Sequence, residues 1–174
     1  MPAVQQRPSR PPIHAPADFK VLDRTHQQVL ASLNTLARLL DHVDDNGPDE
    51  TARQMACEVR GFFETHARQH HAEEEARVFP ALLASGVPDL VHDVRRLQQD
   101  HGWLEEDWRL LAPQLEAIEH GYNWYDLPML RVALPVFEAL YREHITLEEA
   151  VVYPAAKRHQ QELLDGARTR SGRD

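Results

Sequence analysis

The sequence predicts an all-α fold, a four-helix bundle of up-down-up-down connectivity. Four long stretches carry apolar residues at alternating steps of three and four, the signature of a helix with one buried stripe. Short breaks rich in Gly, Pro and Asn separate them, so consecutive helices become antiparallel neighbours. No segment shows the period-two alternation of a half-buried strand.

Residues 1–17 contain Pro2, Pro8, Pro11, Pro12 and Pro16 and little apolar matter, and form a flexible tail. The folded domain spans 18–164. Its first helix runs from about Asp18 to Val43, with Phe19, Leu22, His26, Val29, Leu33, Leu36 and Leu40 inward, and stops at Asn46-Gly47-Pro48. The second spans about Asp49 to Ala84, its stripe being Val59, Phe63, His66, His70, Glu74, Arg77 and Ala81. Pro88 opens the third, which runs to about His120 with Val94, Leu97, His101, Leu104, Trp108, Leu111 and Leu115 inward. Pro113 is expected to kink it or break off its last turns. The fourth runs from about Pro128 to Leu164, with Leu134, Phe137, Tyr141, His144, Glu148, Val151 and Ala155 inward. Pro80, Pro135 and Pro154 are expected to bend their helices, and 165–174 form a flexible C-terminal tail.

A chain of 174 residues with a formal charge of −9 fits one domain and argues against nucleic acid or an anionic membrane as partner. No apolar run approaches a spanning helix or a secretory signal. Cys57 is the only cysteine, which excludes intrachain disulfides and thiolate metal sites and suits a reducing cytoplasm.

Each of the four stripes is interrupted by one histidine: His26, His70, His101 and His144. One buried histidine is commonly a hydrogen-bonded core residue. Four are harder to explain that way, because burying several ionisable groups costs several kcal/mol unless they are paired or bound to metal. Chain direction brings them to one level. His26 and His70 lie about 20 and 23 residues from the first turn, His70 and His101 about 15 from Gly86, and His101 and His144 about 20 from the third turn. Two of them head a repeated string: His70-x-x-x-Glu74-Glu-x-x-Val-Phe-Pro-Ala returns as His144-x-x-x-Glu148-Glu-x-x-Val-Tyr-Pro-Ala. The i, i+4 spacing stacks an imidazole and a carboxylate on one helix face. That donor set suits iron or manganese, and zinc can substitute.

His26, His70-x-x-x-Glu74, His101 and His144-x-x-x-Glu148, in this order on four helices, resemble the hemerythrin-like (HHE cation-binding) domain family over about residues 18–160. The resemblance implies two non-haem iron ions sharing an oxo or hydroxo group, with the four histidines as terminal ligands and Glu74 and Glu148 as bridges. It implies dioxygen, peroxide or nitric oxide as small partners. Oxygen-carrying hemerythrins place a second histidine on the third helix where this chain has Glu105, and end the fourth-helix motif in aspartate five residues after its histidine. About two of the roughly twelve iron positions then stay open. A carboxylate-richer, open site leans toward redox reaction, sensing or iron handling over oxygen carriage.

His66, Glu105 and Tyr141 are further candidates, as extra ligands, as supports of ligands or, for Tyr141, as a hydrogen-bond donor to a bound molecule; a packed core tyrosine is the simpler reading of the last. His71 is off the stripe and is expected at the surface. Glu75 and Glu149 are expected in surface or ligand-supporting contacts. Two other functions compete: a non-catalytic iron or oxygen sensor, and a ferritin- or rubrerythrin-like di-iron oxidase. The Glu-x-x-His pairs of the latter are missing here.

Overall fold

The computed structural model describes residues 16–171, so most of the Pro-rich tail, His14 included, lies outside the described residues. Helix α1 (Phe19–Asn46) is followed by α2 (Glu50–Phe62), a π turn (Phe63–Ala67), α3 (Arg68–Arg77) and α4 (Phe79–Leu83), which together make one interrupted rod. Then come α5 (Pro88–Glu119), α6 (Leu127–Leu147), a second π turn (Glu148–Val152) and α7 (Tyr153–Ser171). The described residues contain no strand, and none of their helices is long and apolar enough to cross a membrane.

The helix starts follow from local chemistry. The carboxylates of Asp18, Asp49 and Asp126 accept hydrogen bonds from the amides of Lys20 (3.0 Å), Ala52 (2.9 Å) and Met129 (2.9 Å), satisfying donors with no partner inside the helix. Pro88 opens α5, where its missing N–H costs nothing. Gly47 and Gly121 turn the chain at φ 71°, a conformation costly for other residues. Cross-links from α1 to α6 and the second π turn, Asp44–Arg131, Asn34–Arg142 and His26–Glu149, run in opposite chain directions, as antiparallel rods require.

Helix α1 packs on α2 and α6, and α5 packs on the same two, closing a four-cornered ring. The interior is divided. One apolar cluster, including Leu39, Val59, Phe63, Leu115 and Phe137, fills the end nearest the first and third turns. A second, with Leu22, Phe79, Leu82, Val94, Leu97 and Tyr153, fills the other end. Leu115 is fully buried in the larger cluster. Leu115→Ala is expected to cost about 2–5 kcal/mol and to lower the thermal midpoint by roughly 5–15 °C in a calorimetric scan.

Three expectations are corrected. Helix α5 continues through Pro113, because Trp108, Leu111, Leu115 and Ile118 on both sides of it are held in one core. The last helix reaches Ser171, well past Leu164, so most of the expected C-terminal tail is helical. The inward stripes also change phase. Within the first π turn Ala67 is buried in place of His66, and beyond it Val78, Phe79 and Leu82 replace Arg77 and Ala81. From the end of the second onward, Val152, Tyr153 and Ala156 replace Val151 and Ala155. Hydrogen bonds from i to i+5 add a residue to the turn and rotate the helix beyond it. The second π turn stands just before Pro154, and α3 breaks at Val78 just before Pro80, where the ring cannot donate to the preceding turn.

Candidate metal centre

Between the two apolar clusters lies a polar layer. His26 of α1, His70 and Glu74 of α3, His101 of α5, His144 of α6 and Glu148 at the start of the second π turn are all buried. The structure therefore brings together all six residues singled out as ligands. They fall into two groups, His26–His70–Glu74–Glu148 and Glu74–His101–His144–Glu148, with the donor atoms of each within 4.8 Å of one another. Both carboxylates belong to both groups.

The approaches are close and converge from all four sides. Glu148 Oε2 lies 3.1 Å from His26 Nε2 and its Oε1 3.1 Å from His144 Nε2. Glu74 Oε1 lies 3.4 Å from His70 Nε2 and its Oε2 3.4 Å from His101 Nε2. Within each group the two imidazole centroids are 4.8 Å apart. Yet Glu74 Oε2, both oxygens of Glu148, and Nε2 of His101 and His144 make no hydrogen bond. Buried polar atoms of native proteins are nearly always paired. Five such atoms aimed into one small volume are the donor set of a cation, so the residues present fit a metal pair bridged by carboxylates.

Two of the imidazoles are fixed from behind by hydrogen bonds, and a third has a carboxylate nearby. His26 Nδ1 hydrogen-bonds to Glu149 at 2.9 Å, and His101 Nδ1 to Glu75 at 3.1 Å. Asp100, itself buried, stands 3.6 Å from His144 Nδ1. Glu75 and Glu149 occupy matching positions in the repeated string, and each reaches across to the histidine of a neighbouring rod. A carboxylate behind an imidazole sets its tautomer and raises its basicity as a ligand. Because Glu149 is 45% exposed, Glu149→Ala should leave the fold intact while weakening metal binding about 10–100-fold, as read by chelator competition.

The secondary candidates divide. His66 is exposed and stacks on Phe62 at 5.8 Å, outside both groups. Glu105 forms an ion pair with Arg68 at the rim. Tyr141 is buried against Phe63, Phe137 and the ring of His71. His71, expected at the surface, is instead largely enclosed. It stacks on His101 at 4.0 Å, with Nε2 buried and without a hydrogen bond, and groups with His101 and His144. In the sequence only its place opposite Phe79 in the repeated string marks Tyr153. It is buried, lies parallel to the His26 ring at 5.3 Å, and donates a hydrogen bond to Glu74.

Electrostatics separates the two carboxyls. Burial resists ionisation of Glu74, but the close approach of His101 and the charges of His70 and His101 outweigh it and hold Glu74 below the usual carboxylate range. Burial, then the adjacent Glu74 charge, pushes Glu148 well above that range. Burial lowers His70 to about 4 and holds His71 well below its ordinary value. For His26, burial acts downward, but contact with Glu148 and Glu149 leaves it raised. The two carboxyls are thus pushed in opposite directions, the arrangement expected of two like charges forced together. A cleft of about 350 Å³ between α1 and α3, lined by Asp18, Thr25, His66, Gln69, His70 and Glu73, approaches the His26–His70 side.

Comparison with known proteins gives the same site a family context. The sequence model of the hemerythrin HHE cation-binding domain matches residues 17–156. A protein of Haemophilus influenzae, described only as uncharacterized, is 26% identical over 131 residues, covering 75% of this chain and 74% of its own. No solved structure matches significantly.

Proposed function

The chain belongs to the hemerythrin HHE cation-binding domain family, and from that premise we propose that it holds a pair of non-haem iron ions and binds or reacts with dioxygen, peroxide or nitric oxide, or handles iron. The observation that carries this reading is the sharing of Glu74 and Glu148 by two groups that each add two histidines of their own. His26 and His70 would serve one ion, His101 and His144 the other, with both carboxylates between them. Imidazole and carboxylate donors without thiolate favour iron or manganese, and zinc competes by affinity.

When bound, such a metal pair supplies coordination positions for a small diatomic ligand or peroxide and electrons for its reduction. The protein's part is to hold, dry and orient. The two apolar clusters close the polar layer above and below, strengthening each charge interaction inside it. Glu149 and Glu75 keep the outer nitrogens of His26 and His101 engaged so that their inner nitrogens would face the ions, and Asp100 stands behind that of His144. The cleft beside His70 gives small molecules a way to the His26–His70 side.

Elemental analysis and an absorption spectrum of aerobically purified protein test the reading. Two irons per chain with charge-transfer absorption support it. A single zinc, or no uptake of iron after anaerobic reconstitution, refutes it. Steady-state turnover of peroxide or nitric oxide would then favour an enzyme over a non-catalytic sensor.

A further inference from the structure

The two halves of the site are built on one plan, and at one matched position they differ in a single oxygen. Phe79 and Tyr153 match in the repeated string, and each lays its ring nearly parallel to a histidine of a neighbouring rod. Phe79 stands 5.6 Å and 20° from His101, and Tyr153 stands 5.3 Å and 10° from His26. The Phe79 half shows that packing this position needs no hydroxyl. The Tyr153 hydroxyl is nonetheless buried and aimed inward, where it hydrogen-bonds to Glu74 Oε1 and lies 3.2 Å from His26 Nε2.

Both of those atoms belong to residues of the His26–His70–Glu74–Glu148 group, and they are the ones that face its other members, Glu74 Oε1 toward His70 Nε2 and His26 Nε2 toward Glu148. Two donors at right angles on one ion, with bonds of about 2.1 Å, stand about 3 Å apart. The phenol oxygen therefore sits where a further donor of that group would sit. The corresponding flank of the other half presents carbon from Phe79 and, from another direction, the imidazole of His71.

We propose that Tyr153 is a metal ligand, giving its phenolate oxygen to the ion at the His26–His70 position and not to its neighbour. As the metal–oxygen bond forms, the phenol proton leaves to solvent and the hydrogen bond to Glu74 is given up, which frees Glu74 Oε1 for the same ion. The two positions are then chemically unlike, one bearing a hard phenolate and the other without one. This inference rests on the metal-binding reading above.

The test is spectroscopic and uses the full chain loaded with ferric iron, with iron content measured on the same sample. A phenolate-to-ferric charge-transfer band is expected in the visible, with resonance-enhanced phenol ring vibrations. Tyr153→Phe should abolish both while keeping the helical circular dichroism and iron content, since Phe79 already serves the matching place. Tyr141→Phe should leave both intact. Iron bound without the band, or a band that survives Tyr153→Phe, overturns the ligand role alone. Failure to bind iron at all overturns the metal-binding reading and this inference with it.

Discussion

Removing metal from the loaded protein is expected to lower its thermal midpoint by roughly 8–16 °C. The metal-free bundle buries four imidazoles and two carboxyls in a layer where several donor atoms have no hydrogen-bond partner. Such groups cost free energy in a low-dielectric interior. A ligand bound only by the folded state, present at about 1,000 times its dissociation constant, adds about 4 kcal/mol. For a chain of this size each kcal/mol moves the midpoint by about 2–4 °C. Calorimetry of the loaded protein, before and after chelator and dialysis, reads the difference directly. Equal midpoints would mean that the polar layer satisfies itself without a cation. The apolar clusters on either side of the layer should keep the metal-free chain helical, so its far-ultraviolet circular dichroism is expected to change little.

The sequence was most legible where a residue contradicted its surroundings. His26, His70, His101 and His144 each replace a core aliphatic in a regular stripe, and such a conflict is visible without coordinates. The helix breaks were legible for a similar reason, since Gly47, Gly86 and Gly121 each turn the chain at a positive φ. What could not be read was the local helix pitch. A period of 3.6 carried through His66 and Arg77 points both inward, whereas the π turn buries Ala67 and the break before Pro80 buries Val78. The same blindness hid Tyr153, which the second π turn brings to the face of His26. His71 departs from the stripe for a different reason. One residue off the stripe is surface on an isolated helix, but here that flank faces α5 and the ring of His101 covers it. The supporting carboxylates were half legible: the repeated Glu-Glu pair marked Glu75 and Glu149, but only the fold shows that each serves a histidine on another rod.

Replacing Glu148 with alanine should cost metal without costing the fold, and the contrast with His26→Ala carries the information. His26 belongs to one group of donors and Glu148 to both. Loss of His26 leaves His101, His144, Glu74 and Glu148 in place, so that variant is expected to retain one ion per chain. Loss of Glu148 removes an oxygen from each position and should take away at least one ion while weakening the other by tenfold or more, since ligand sets of this kind lose affinity in such steps even when only their supports are removed. Stability of the metal-free chain should respond differently. Glu148 is buried beside Glu74, and its carboxyl is forced toward the neutral form by that burial and that charge. Removing it relieves a cost of the metal-free state even as it opens a small cavity, so the two effects oppose each other. The metal-free midpoint of Glu148→Ala is therefore expected within a few degrees of the unmodified chain, roughly the size of a change under 2 kcal/mol. Elemental analysis paired with thermal unfolding of both metal-free variants separates the outcomes. If Glu148→Ala still holds two ions, Glu148 is not the bridge; if His26→Ala and Glu148→Ala lose metal identically, the two positions are filled cooperatively rather than as separate halves joined by shared carboxylates.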